Sequence, residues 1–146
     1  MSKQTIAIAS DHAGYSLKSE LVAEIEALGF KVLDLGPNST DSVDYPDYGF
    51  AMGRAIEEGK AERGVVICGS GIGISIAANR NPHVRAALCA NGLMARLARQ
   101  HNDANVLALG ERLTGIEVAK DCLREFLNTE FEGGRHARRV GKLGNA

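Results

Sequence analysis

Short apolar runs of strand length alternate along this chain with stretches in which apolar residues recur every third or fourth position. Residues 5–9 (TIAIA) read as a first strand, and Leu17, Leu21, Ile25 and Leu28 then fall on one face of a helix. Gly29 stands where a glycine commonly ends a helix. The alternation continues with strands at 31–35 (KVLDL), 64–68 (GVVIC), 84–90 (VRAALCA) and 105–109 (NVLAL). Helical character covers 45–58, 71–79, 92–100 and 116–127, with Pro46 in a first turn, where its missing N–H is tolerated. Residues 36–44 are polar and turn-rich, and 128–146 form a tail carrying Gly133-Gly134 and a basic cluster. Five β-then-α units in series predict an α/β fold: a single-domain, three-layer α/β/α sandwich around a five-stranded, parallel, Rossmann-like sheet. One domain spanning residues 1–146 is long enough to bury a core without staples.

Ligands of such folds bind beyond the carboxyl ends of the strands. After the first strand come Ser10-Asp11-His12-Ala13-Gly14, and after the third Cys68-Gly69-Ser70-Gly71-Ile72-Gly73. Ala90-Asn91-Gly92 follows the fourth strand and Gly110-Glu111-Arg112 the fifth. Gln100-His101-Asn102-Asp103, just before the fifth strand, is grouped with them as part of the same pocket. The third group is the most informative: a buried strand ends in a thiol, breaks into a three-glycine turn and opens a small-residue helix. Free N–H groups at a helix N-terminus favour anions, and the same field favours thiolate over thiol. Each residue also has a plainer reading. Asp11 suits a helix N-cap, Cys68 an inert buried position, and His101 the cation-favouring end of a helix. Arg135, His136, Arg138 and Arg139 suit a solvated tail or a weak nucleic-acid patch.

Spacing and charge remove several function classes. The turn reads G-x-G-x-G rather than the dinucleotide G-x-G-x-x-G, and no carboxylate stands near position 90 to hold a ribose. Gly73-Ile74-Ser75 lacks the lysine of a P-loop. The histidines and cysteines show no zinc-ligand spacing along the chain. A net charge of -1 gives no global field toward nucleic acid or membrane. Three widely spaced cysteines (Cys68, Cys89, Cys122) argue for a reducing compartment rather than a disulfide framework. With no apolar stretch of signal or membrane length, the expected location is the cytoplasm.

Six segments carry a family resemblance: Asp11-His12-Ala13-Gly14, Asp44-Tyr45-Pro46, 68–79 (CGSGIGISIAAN), Arg99-Gln100-His101-Asn102-Asp103, Asn105-Val106-Leu107-Ala108 and Glu132-Gly133-Gly134-Arg135-His136. Together they resemble ribose-5-phosphate isomerase type B, within the wider ribose/galactose sugar-phosphate isomerases. The resemblance runs from the first strand to the tail. It implies reversible conversion of ribose 5-phosphate to ribulose 5-phosphate through an enediolate, with no metal and no organic cofactor. By the same carry-over, Cys68 is the base between C2 and C1, and Ser70 keeps a hydroxyl beside it where members often carry threonine. His101 is the acid that opens the furanose ring, assisted by Asp11. The backbone of Gly69, Gly71, Ile72 and Gly73 is the enediolate cradle, and Asn102 contacts the sugar. His12, Arg112, Arg135 and Arg139 grip the phosphate. Some members use a glutamate base a few residues later, but 72–76 holds no carboxylate, which leaves Cys68. The family forms dimers, some pairing into tetramers, so a homodimer with a composite site is expected.

The chemistry suits these groups. Preorganised N–H donors stabilise a developing enediolate, and arginine forks bind phosphate oxygens in pairs. Histidine offers both protonation states near neutrality. Two alternatives stay open: the same chemistry on allose 6-phosphate or galactose 6-phosphate, and a non-catalytic sugar-phosphate sensor.

Overall fold

The structure, a computed structural model, describes residues 3–146. Five strands form one parallel sheet in the order β2-β1-β3-β5-β4. They are β1 (Thr5–Ser10), β2 (Lys31–Asp34), β3 (Arg63–Cys68), β4 (Ala86–Leu88) and β5 (Val106–Gly110). The helices are α1 (Tyr15–Ala27), α2 (Tyr45–Glu57), α3 (Ile72–Ala78), α4 (Gly92–Asn102), α5 (Ile116–Asn128) and α6 (Arg135–Leu143), with a 3-10 turn at His12–Gly14 before α1. The three-layer α/β/α architecture expected from the alternation is the one observed.

Strand residues alternate between two unequal core layers. Ile6, Ile8, Val65, Ile67, Leu107 and Leu109 face α1, α4 and α5, where Leu21, Ile25, Ala95, Leu123 and Phe126 meet them. Ala7, Ala9, Val66, Cys68, Val106 and Ala108 face α2 and α3. The period of two that sends neighbours to opposite faces therefore sorts large side chains to one layer and small ones to the other. Small residues let α2 and α3 pack closely: a Cβ on Gly49 would stand 2.5 Å from that of Ala77. The site-bearing Cys68 belongs to this thinner layer.

Chain order reverses between β1 and β3. The chain moves outward from β1 to β2, then returns past β1 to β3. That reversal opens a crevice beyond the carboxyl ends of β1 and β3. The loop after β2 is fixed by Lys18, a buried cation on α1, whose Nζ donates to Asp34 Oδ1 at 2.7 Å and to the Pro37 carbonyl at 2.9 Å.

Three details differ from the sequence pattern. β4 holds three residues rather than the seven of 84–90. It is an edge strand, and Asn79 occupies its open side: its amide donates to the Ala86 carbonyl at 3.0 Å and accepts from the Ala86 N–H at 2.7 Å. A side chain thus stands where another strand would pair, which blunts the edge. α4 runs two residues further than 92–100, taking His101 and Asn102 into the helix. The 128–146 segment is not a plain tail, because α6 forms within it and packs on α4.

Candidate active site

A cleft of about 490 Å3 opens at the β1/β3 crevice. Its floor is Asp11 from the end of β1 and Cys68, Gly69 and Ser70 from the end of β3. Ile72 and Gly73 open α3 along one wall, with Tyr45, Arg112 and Leu113 on the others. A larger cavity of about 580 Å3 lies elsewhere, lined by Gln4, Arg63, Arg99 and Asp103 at the amino ends of the strands. Its arginines are already engaged structurally. Arg63 donates to the carbonyls of Phe126 and Leu127, and Arg99 to those of Thr129 and Ala104 and to Asp103. The smaller cleft is where the reactive groups are.

Cys68 is buried, and its Sγ accepts the Gly71 N–H at 3.1 Å. That amide presents its positive end to the sulfur, the geometry an anion at Sγ requires. The turn depends on Gly71 adopting φ 80°, a left-handed conformation that a side chain disfavours. A Cβ there would also meet the Leu109 carbonyl carbon at 2.8 Å. Ser70 Oγ accepts the Ile72 N–H at 3.2 Å, so the serine caps the turn rather than the sulfur. Two glycines are crowded by cleft residues: a Cβ on Gly69 would lie 3.2 Å from the Arg112 guanidinium, and one on Gly73 2.6 Å from the Tyr45 ring. The Arg112 N–H donates to the Gly69 carbonyl at 2.9 Å, which joins the segment after β5 to the turn.

Asp11 takes the N-cap role that its position suggested: Oδ1 accepts the Gly14 N–H at 3.1 Å. Its carboxylate nonetheless lines the cleft, so the two readings coexist. His12 Nδ1 accepts the Val43 N–H at 3.1 Å. The neutral ring proton is therefore on Nε2, and the imidazole is oriented by the loop that Lys18 holds. The other two thiols are of a different kind. Burial, then their mutual proximity, pushes the Cys89 thiol up to about 12, and burial, then Asp121, pushes Cys122 up to about 11.

His101, Asn102, Arg135 and Arg139 are not in this cleft. Grouping His101 and Asn102 with the strand-end residues is corrected by the direction of α4. The helix runs back along the sheet, so its last turn lies at the amino ends of the strands, opposite Cys68. Asn102 instead lines a separate depression by the β4 edge, with Asn79, Ala86 and Leu143. The His101 ring stacks on that of His136, centroids 4.5 Å apart and planes 14° from parallel. Glu132 Oε1 lies 4.0 Å from His101 Nε2 and 3.7 Å from His136 Nε2. Desolvation, then the nearby His101 and Arg135, holds His136 below the usual histidine range, against a raising effect of Glu132. Arg135 and Arg139 are exposed on α6. Two cleft residues, Tyr45 and Leu113, went without a role in the sequence. Tyr45 was visible as part of Asp44-Tyr45-Pro46, whereas nothing in the pattern marked Leu113.

The sequence profile described as Ribose/Galactose Isomerase matches residues 6–143. The chain belongs to the ribose/galactose isomerase family. Ribose-5-phosphate isomerase B from Clostridium thermocellum superposes with a TM-score of 0.95 at 52% identity, covering 97% of this chain and 96% of that one. Ribose-5-phosphate isomerase B of Escherichia coli (strain K12) is 45% identical over 92% of this chain and 91% of its own length. A D-erythrulose-4-phosphate isomerase of Pectobacterium atrosepticum is 40% identical over 96% of this chain and 93% of its own. The family thus includes sugar-phosphate isomerases on this fold, and among the described residues no helix is long and apolar enough to cross a membrane.

Proposed function

We propose that this protein is an aldose–ketose isomerase that interconverts ribose 5-phosphate and ribulose 5-phosphate. One observation carries the reading: a cysteine sulfur at the floor of the β1/β3 cleft accepts a main-chain N–H from a glycine turn, inside a chain of this family. The Cys68 thiolate removes the proton from C2 and returns it to C1, while the O2 hydroxyl proton passes to O1 and the carbonyl moves to C2. The enediolate oxygens face the N–H groups of the Gly69–Gly73 turn, with Ser70 as an adjacent hydroxyl. Preorganised donors of this kind supply several kcal/mol where charge develops.

A single chain supplies only part of what the reaction needs. Asp11 is at hand for a ring oxygen or hydroxyl, and Arg112 and the His12 Nε2–H for phosphate. The ring-opening acid His101, the sugar contact Asn102 and the arginines Arg135 and Arg139 come from a second copy of the chain. An apolar, uncovered face supports that assembly. Ile72 and Ile76 on α3, Leu88 on the β4 edge, and Leu93 and Leu97 on α4 are all at least 37% exposed, and Ile72 also lines the cleft. A patch of this kind, continuous with a functional site, is characteristic of an interface. The working form is a cytoplasmic homodimer with composite sites.

A coupled assay with four-, five- and six-carbon aldose phosphates tests the reading. Ribose 5-phosphate is expected to give the highest kcat/KM, and Cys68→Ala to lose at least about a thousandfold, roughly 4 kcal/mol of barrier. No turnover of any sugar phosphate would overturn it. Preference for a four-carbon sugar would favour the second reading, which the 40% identity to a D-erythrulose-4-phosphate isomerase supports.

A further inference from the structure

Sequence spacing gave no zinc motif, but folding brings three ligand types to one point. His101 on α4, Glu132 before α6 and His136 in the first turn of α6 place one ligand atom each within 4.8 Å of one another. Both Nε2 atoms lie near the same carboxylate oxygen, at 4.0 and 3.7 Å. Ring stacking alone would not require the two nitrogens to stand near one carboxylate oxygen. Glu132 and His136 stand four residues apart, and the Glu132 N–H donates to the Gln100 carbonyl at 3.1 Å, which ties this arm to the end of α4. We infer that His101, Glu132 and His136 form a site for a divalent transition-metal ion of the zinc type, with the fourth position open to solvent or to an incoming ligand.

The donor set suits that ion. Two imidazoles and one carboxylate, with one position free, is a known zinc arrangement. Tetrahedral zinc with bonds of about 2.0–2.2 Å holds its ligand atoms roughly 3.3 Å apart. The three atoms therefore need to draw in by less than about 1.5 Å. Glu132 is half-exposed and His101 partly so, which leaves side chains free to make that adjustment, whereas His136 is buried and serves as the anchor. Hard cations such as magnesium prefer all-oxygen sites and are not served by two imidazoles. Arg135 and Arg139 on the same helix oppose a dication, so the site is reversible rather than structural.

The site has a consequence that rests on the proposed function. His101 Nε2 bound to a metal is not free to act as the ring-opening acid, so occupancy inhibits the isomerase. Metal binding is measured first, by calorimetric titration of zinc into the full-length Cys68→Ala protein near neutral pH, which removes the cleft thiol as a competing ligand. One zinc ion per chain is expected. His136→Asn and Glu132→Gln, each in that background, are expected to weaken binding at least about tenfold, the low end of the loss seen when even an outer partner of a ligand is removed. No zinc binding, or binding unchanged in both variants, would overturn the inference. In the protein with its native cysteine, zinc is expected to lower turnover, and His136→Asn to raise the inhibiting concentration about tenfold. Zinc that binds with the expected variant dependence and leaves turnover untouched would support the site and count against His101 as the acid.

Discussion

At the scale of single residues, three cysteines occupy three different environments. Cys68 opens to the cleft and is held by the Gly71 amide, whereas Cys89 and Cys122 are raised to about 12 and about 11. Alkylation near neutral pH is therefore expected to modify Cys68 alone and abolish turnover, with all three thiols reacting once the chain is unfolded; intact-mass spectrometry counts them. The same shifts set a pH limit on stability. In the unfolded chain these thiols ionise near 9, so the unfolded state loses protons first. Stability is full below that value and falls away as pH climbs toward 11 and 12. Urea unfolding at a series of alkaline pH values checks the sign. Cys68 was legible because a glycine turn directly follows an apolar run ending in sulfur. Asp11 was legible as a cap because a short carboxylate directly after a strand can accept a free N–H of the turn that follows. Leu113 was not, since only tertiary placement makes an exposed leucine part of a cleft wall.

At the scale of elements, the β3–α3 turn is the unit on which the site depends. Gly71→Ala forces a side chain into a left-handed conformation and against Leu88 and Leu109. A loss of about 1–3 kcal/mol is expected in denaturant unfolding, together with a fall in turnover larger than the stability change explains. Retained stability and activity would show that the turn tolerates rebuilding. The alternation of strands and helices was legible because the central strands β1, β3 and β5 bury both faces and each major helix buries one. α6 was not: its sequence RHARRVGKL has little apolar content, and its place comes from His136 stacked on His101. The β4 boundary was equally hidden, because the edge is closed by Asn79 rather than by a change in strand composition. His101 and Asn102 were misgrouped for a geometric reason. Proximity to a strand in sequence does not say which end of the sheet is meant, and residues entering β5 lie opposite those leaving β3.

At the scale of the whole molecule, the residues assigned to the proposed site fall into two groups, one at each end of the sheet. The cleft holds the thiol, an acid and one arginine, while α4 and α6 hold a histidine pair together with Arg135 and Arg139. The uncovered apolar residues of α3, β4 and α4 lie on the surface through which two copies would bring unlike ends together. Ile76→Glu with Leu93→Glu is expected to shift the protein to monomers in sedimentation and to remove activity, with helical content unchanged. Active monomers would show the cleft to be complete in itself.

The most direct test of the composite site mixes two inactive proteins. Cys68→Ala and His101→Asn each lack one half of the site, and hybrids between them contain one intact site of two. After unfolding and refolding together in equal amounts, activity is expected to return to about a quarter of wild type, as two-fold symmetry and random pairing require. A mixture as inactive as its parents, with hybrid dimers shown to be present by mass, would contradict the claim that Cys68 of one chain works with His101 of another.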